Sequence, residues 1–271
     1  MGVVVELKSI LKRQEVDVFS TPTLKGTYAV VYQLEKSASL NRLQEIAQKE
    51  GAPATCFFTQ DSPHSYSVRC FNSSHEIQLC GHGLLATAKV IAKKGVKSFS
   101  LLAKAQEVKA VCEPVENSSE DSVWLIFAEA SVIASQAPLW THKVFNELPQ
   151  AVSTVGDSNG YFVMQWPDGF NLKSLSVSFS ELVNQTDRAV IATCKSSSPD
   201  YDYCFRYFAP QHGVDEDKAT GSAHRVLVSY WNQRLNKCNV KALQLSNDGA
   251  ELIGRSDAGR VWISGAVSIR E

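Results

Sequence analysis

The segment "RYFAPQHGVDEDKATGSAHRVLVSYW" (206–231) has three parts: an apolar, strand-like start, a turn rich in Gly, Asp and Thr, and a helix. Val226, Leu227, Tyr230, Trp231 and Leu235 recur at helical spacing, so the helix presents one broad apolar face. A strand that turns straight into a long apolar helix is the unit on which the fold is read, and the chain contains it twice. "YSVRCF" (66–71) and "YCFRYF" (203–208) share the spacing Y-x-x-R-x-F. Each is followed by a Gly-containing turn that opens a helix, "CGHG" (80–83) in the first case and "ATGS" (219–222) in the second. Three fixed positions can match by chance, but their placement at equivalent points favours an internal repeat.

The rest of the chain fits around these two units. "YAVVYQL", "TCFFTQ", "YSVRCF", "SFSLLA", "EVKAVCE" and "VWLIFAE" read as strands. "SLNRLQEIAQKEG" reads as a helix capped by Ser39 and stopped by Gly51, and "LLATAKVIAKKG" as one with Leu84, Leu85, Ala88 and Ile91 on one face. After Glu129, "ASVIASQAPLWTHKVFNELPQ" reads as a linker leading into a helix. A second round follows, with strands "YFVMQW", "AVIATC", "YCFRYFA", "ALQLS", "AELIG" and "RVWISGAVSI". The expectation is an α+β protein with domains over residues 1–134 and 135–271. Each is a mainly antiparallel β-sheet closed around a central α-helix, and the last strand is free to pack back on the first domain.

Composition excludes several classes. With 27 Lys plus Arg against 28 Asp plus Glu there is no basic stripe for nucleic acid. Apolar runs fall short of the roughly 20 residues that cross a bilayer. The start, "MGVVVELKSILKRQEVD", carries too many charges for a signal peptide, which makes the cytoplasm the expected location. Seven cysteines without a C-x-x-C spacing fit a reducing compartment, argue against a structural zinc, and read mostly as small buried hydrophobes. A sheet edge or an apolar outer strand can support a homodimer.

A helix N-terminus offers unpaired N–H groups and about half a positive charge, which suits a carboxylate. If the two helix N-termini face each other across a cleft, the natural ligand is a small molecule with a carboxylate. Gly81 and Gly83 let the backbone approach such a ligand, and Thr220, Gly221 and Ser222 offer backbone and hydroxyl donors. The same field depresses the pKa of a cysteine, and Cys80 alone of the seven is placed for it. Simpler readings stand beside these. Gly-His-Gly is a common tight turn, His82 can be a satisfied turn histidine, and Glu216 and Asp217 can be helix-start acids rather than acid–base groups.

The residues resemble the phenazine-biosynthesis isomerase (PhzF-like) family, within the diaminopimelate epimerase-like fold. The resemblance runs through "VDVFSTPTLKGTYAVVY" (16–32), "EIQLCGHGLLATA" (76–88), the segment 206–231 and "GRVWISGAVSI" (259–269), leaving only about the first dozen residues as an extension. It implies two similar domains with the active site between them, no metal or organic cofactor, and isomerisation by acid–base proton transfer on a small, often amino-acid-like substrate. By the same resemblance His82 matches the histidine of a Gly-His-Pro motif, Asp217 the aspartate of D-P-x-T-G-S-A, and Glu76 the glutamate before the first turn.

The departures are as informative. The family's main catalytic glutamate falls where "APATCFF" (52–58) places Ala54, and a methyl group transfers no proton. Gly83 and Lys218 replace two prolines of the motifs, and Thr27-Tyr28 an Asn-Pro. Cys80 replaces an alanine, so "CGHG" resembles the first cysteine motif of proline racemases, whose second cysteine position aligns with Lys218. Two functions remain open. One is a cofactor-independent isomerase or epimerase with Cys80, His82 and Asp217 as catalytic groups and Gly81, Gly83, Lys218, Thr220, Gly221 and Ser222 lining the substrate. The other is a small-carboxylate-binding protein that kept the fold and lost the chemistry.

Overall fold

The computed structural model describes residues 9–104, 106–116 and 121–271. The chain forms two compact units that are interleaved in sequence. One contains the described residues up to Val18, then Thr27–Ile126 and Ala266–Glu271. The other contains Phe19–Gly26 and Phe127–Gly265.

The first unit is built from β1 (Ile10–Val18), β2 (Thr27–Leu34), α1 (Leu40–Glu50), β3 (Ala54–Ser62), β4 (Ser65–Phe71), α2 (Gly81–Ala92), β5 (Ser98–Leu102), β6 (Glu107–Glu113) and β7 (Ser122–Ala128, from Phe127 on assigned to the second unit). The second is built from β8 (Val132–Ser135), α3 (Thr141–Val144), β9 (Ala151–Val155), β10 (Tyr161–Gln165), α4 (Phe179–Gln185), β11 (Ala189–Lys195), β12 (Tyr203–Ala209), β13 (Val214–Glu216), α5 (Gly221–Leu235), β14 (Asn239–Gln244), β15 (Ala250–Asp257) and β16 (Arg260–Ser264). The chain then returns to the first unit as β17 (Val267–Ile269).

Among the described residues the two sheets share one plan. In the first unit the strand order is β17–β1–β2–β3–β4–β5–β6–β7, antiparallel except for the parallel steps β2–β3 and β4–β5. In the second it is β8–β9–β10–β11–β12–β14–β15–β16, with parallel steps at β10–β11 and β12–β14, and β13 paired to β12. Parallel neighbours need a crossover, and each parallel step here carries one: α1 and α2 in the first unit, α4 and α5 in the second. The internal repeat read from Y-x-x-R-x-F is thus a repeat of topology. The mixed, mainly antiparallel sheets with few helices make the protein α+β.

The central helices depart from the amphipathic pattern expected of "LLATAKVIAKKG". Every residue of α2 from Gly81 to Ile91 is buried, because the helix packs against β1, β2, β3, β4 and β17. Burial of Leu84, Leu85 and Ile91, each 0% exposed, is worth about 1.5–3 kcal/mol per side chain. Lys89 is buried with them, its ammonium directed to the Asp121 carbonyl. In the second unit α5 lies against β14, β15, β16 and β8. At Gly254 a Cβ would stand 2.2 Å from Val228, so the close approach of β15 to α5 requires glycine there.

Two local expectations change. The stretch after Glu129 is not a linker: Val132–Ser135 pairs with β9 as an edge strand, and the helix that follows is only Thr141–Val144. Exposure of Ile133 at 64% explains why apolar patterning did not reveal the strand. "RVWISGAVSI" is two strands, split at Gly265-Ala266, the first in one unit and the second in the other.

Candidate active site

The turn before α2 begins on β4. Arg69 grips Glu76 with two hydrogen bonds, Nε–Oε1 at 2.8 Å and Nη2–Oε2 at 3.1 Å, and Lys104 adds a contact at 3.3 Å. The clamp ties Glu76 to β4, and the Ile77 amide donates to the Cys70 carbonyl at 2.8 Å. Four residues after Glu76, Cys80 caps α2 with φ −107° and ψ 90°.

The turn before α5 is made the same way. Arg206 on β12 grips Glu216 through Nε–Oε1 at 2.8 Å and Nη2–Oε2 at 2.7 Å. Four residues after Glu216, Thr220 caps α5 with φ −114° and ψ 90°. Spacing, clamp and cap geometry all repeat, so Cys80 and Thr220 are equivalent positions. The Arg shared by the two Y-x-x-R-x-F segments is the visible sequence trace of this clamp.

Cys80 lies in unusual surroundings. Its thiol is held well below the ordinary cysteine value, chiefly by a hydrogen bond from the Cys70 thiol; burial opposes this, and the neighbouring His82 and the Gly83 amide support it. Both His82 ring nitrogens stand 3.8 Å from the Cys80 sulfur, so the imidazole lies alongside it rather than aiming one nitrogen at it. Cys56 Sγ in turn donates to Cys70 Sγ at 3.1 Å. Gly83 leaves the room for this group: a Cβ there would stand 2.6 Å from Cys56 Sγ, 2.8 Å from Cys80 Sγ and 3.3 Å from Cys70 Sγ. The family's proline at this position would therefore collide with sulfur.

Sequence reasoning found Cys80 but treated Cys56 and Cys70 as filler. The signal was available in principle, since adjacent strands "TCFFTQ" and "YSVRCF" in hairpin register place Cys56 opposite Cys70. Ala54 is fully buried at the start of β3.

In the second turn Asp217 Oδ2 accepts the Thr220 hydroxyl at 2.6 Å, and the Asp217 amide donates to the Tyr207 carbonyl at 3.1 Å. The hydroxyl expected to serve a ligand is thus committed to Asp217. Gln244, fully buried on β14, completes the turn. Its Oε1 accepts the Thr220 amide at 2.6 Å, and its Nε2 donates to the Asp217 carbonyl at 2.7 Å and to Thr220 Oγ1 at 3.1 Å. No motif in the sequence pointed to Gln244. Burial pushes the Tyr207 phenol well up, with the nearby Tyr161 and Asp217 adding to it. Gly221 and Ser222 begin α5 as expected. Lys218 is drawn to Asp248, at 2.6 Å, with its side chain 59% exposed, while Ser246 bonds its carbonyl.

Among the described residues no group of three or more His, Cys, Asp or Glu is arranged to hold a metal ion, and no helix is long and apolar enough to cross a membrane.

Residues 16–265 match the family model of phenazine biosynthesis-like proteins, and the chain belongs to this family. It is 30% identical over 263 residues to an uncharacterised isomerase of Pseudomonas aeruginosa, covering 94% of each chain. It is 31% identical over 281 residues to a phenazine biosynthesis-like domain-containing protein of Bos taurus, covering 93% of this chain and 94% of that one. The crystal structure of a PhzF-family phenazine biosynthesis protein from Enterococcus faecalis matches with a TM-score of 0.82 at 26% identity, over 96% of both chains. A probable proline racemase from Agrobacterium radiobacter, 11% identical with a TM-score of 0.58, shares the fold.

Proposed function

We propose that this protein is a cofactor-independent isomerase that moves a proton on a small, amino-acid-like or cyclic carboxylate, with Cys80 as the base. The observation that carries the reading is the state of Cys80: a thiol held low by Cys70, with His82 and the Gly83 amide supporting, at the N-terminus of α2. A proton next to a carboxylate is weakly acidic, so the reaction needs both a base and a means of stabilising the developing enolate. The positive end of the α2 dipole, at Gly81 and His82, is the proposed source of the second.

The thiolate takes the proton, becoming a thiol, and the electron pair left on carbon is delocalised into the carboxylate. His82, beside the Cys80 sulfur, is the proposed proton relay, and Asp217, bonded to Thr220, is the proposed second acid–base group. The relatives named as isomerases support this class of reaction. Ala54, a buried methyl where the resemblance implies a glutamate, favours the alternative of a carboxylate-binding protein without turnover.

Both readings meet one experiment. The protein is incubated in D2O with a panel of amino acids, hydroxyprolines and cyclic amino acids, and deuterium at Cα or a new isomer is sought by NMR. Exchange that disappears in Cys80→Ala is the expected result. Exchange that persists in that variant moves the base to Asp217, and binding without exchange across the panel supports the binding protein.

A further inference from the structure

Three cysteines from three elements of the first unit meet at one place. Cys56 on β3 and Cys70 on β4 stand directly opposite each other in antiparallel register, and Cys80 caps α2. Cys56 Sγ and Cys70 Sγ are 3.1 Å apart, and the Cys70 and Cys80 sulfurs border one space, 3.3 Å and 2.8 Å from where a Cβ on Gly83 would stand. Cys70 thus touches Cys56 and shares the space at Gly83 with Cys80. All three are buried free thiols, and Gly83 leaves the space in which their sulfurs gather.

Directly opposed antiparallel residues have Cα atoms about 4.5–5.5 Å apart, within the roughly 4.4–6.8 Å that a disulfide spans. A Cys56–Cys70 bond thus needs the sulfurs to close by about 1 Å and leaves the ladder intact. Cys80 is the one of the three at a helix N-terminus, the position that favours a thiolate, and thiolates are the nucleophiles that attack peroxides.

We propose that Cys80, Cys70 and Cys56 form a thiol relay that reduces a small hydroperoxide and comes to rest as a cross-strand Cys56–Cys70 disulfide, with Cys80 returned as a thiol. In the first step the Cys80 sulfur attacks one peroxide oxygen and the O–O bond breaks. Cys80 becomes a sulfenic acid, and with hydrogen peroxide the leaving hydroxide takes up a proton and departs as water. In the second, the Cys70 sulfur attacks the Cys80 sulfur, the S–O bond breaks, and water leaves as the Cys70–Cys80 disulfide forms. In the third, the Cys56 sulfur attacks Cys70, the Cys70–Cys80 bond breaks, and the proton from Cys56 goes to Cys80. Two thiols are oxidised and one peroxide is reduced, so the electrons balance. The relay keeps Cys80 from the irreversible sulfinic state. It does not depend on Cys80 acting as a base, and its readout is covalent rather than catalytic.

The test uses the reduced, folded protein treated with hydrogen peroxide, quenched with iodoacetamide over time, digested without reductant and read by mass spectrometry. A Cys70–Cys80 linkage is expected first, then a Cys56–Cys70 linkage with Cys80 alkylated. Cys56→Ser should stop at the Cys70–Cys80 linkage, and Cys80→Ser should slow Cys56–Cys70 formation about tenfold or more. The time course in the unsubstituted protein needs no variant to fold. If Cys56–Cys70 appears there with no earlier Cys70–Cys80 species, or Cys80 accumulates as sulfinic acid while Cys56 and Cys70 stay reduced, the relay is wrong.

Discussion

Arg206 holds Glu216 with two hydrogen bonds and uses its Nη1 to reach the Leu172 carbonyl at 3.0 Å and the Leu175 carbonyl at 2.7 Å. Its counterpart Arg69 shares Glu76 with Lys104. Losing Arg206 leaves the Glu216 carboxylate and the Leu175 carbonyl short of a donor, the Leu172 carbonyl keeping the Leu175 amide at 3.2 Å, whereas losing Arg69 leaves Glu76 with a cation still beside it. Arg206→Met should therefore cost about 3 kcal/mol and Arg69→Met about 1–2 kcal/mol. Urea unfolding of the two variants measures the difference, and equal losses would count against the asymmetry.

Gly83→Ala tests the sulfur packing. The added methyl meets Cys56 Sγ at 2.6 Å and Cys80 Sγ at 2.8 Å, so a cost of about 1–3 kcal/mol from overpacking is expected. Cys56→Ala removes the nearest of these atoms. In a double-mutant cycle the pair should be less destabilised than the sum of the single variants, and strict additivity would show that the methyl is accommodated elsewhere.

The low Cys80 thiol predicts a pH profile. The thiolate fraction rises with pH through the thiol's own value, so alkylation of Cys80 should reach its half-maximal rate well below the ordinary cysteine value of about 8.5. Because the Cys70 hydrogen bond is the largest cause of the lowering, Cys70→Ala should move that midpoint upward. If Cys80 is the base, hydrogen–deuterium exchange of substrate should follow the same profile and the same displacement.

His224 makes stability depend on pH in the opposite range. Burial lowers it from 6.5 to about 4, and Tyr203 Oη stands 2.8 Å from its Nδ1. Between those values the unfolded chain binds the proton and the folded chain does not, so stability rises with pH across the window and is lost as pH falls through it. The loss from this residue reaches about 3 kcal/mol at most. His224→Gln should flatten the difference between stabilities measured at pH 7 and pH 4.5, and an unchanged slope would assign the effect to carboxylates.

Much of the fold could be read from the chain because local signals agreed. Gly51, read as the stop of the first helix, ends α1 in the left-handed conformation at φ 61°, and the strands either side of α2 and α5 alternate or are continuously apolar. The Y-x-x-R-x-F echo pointed to the repeat, and its arginine proved to be the clamp residue in both units. What stayed hidden depends on distant pairing. Cys56 and Cys70 become neighbours of Cys80 only once β3 and β4 are in register, and Gln244 reaches Thr220 from 24 residues away. Strand β8 was missed because an exposed edge strand lacks a buried face to pattern it.

The place that β8 takes in the second sheet is filled in the first by β17, which pairs Val267–Ile269 with Val16–Val18, while Arg270 bonds Asp17 and Glu15. During synthesis, residues 9–126 therefore emerge without the strand that covers β1. The first unit to leave the ribosome is the last whose edge is sealed, and until residue 269 appears the free edge of β1 is exposed to whatever else in the cell can pair with it.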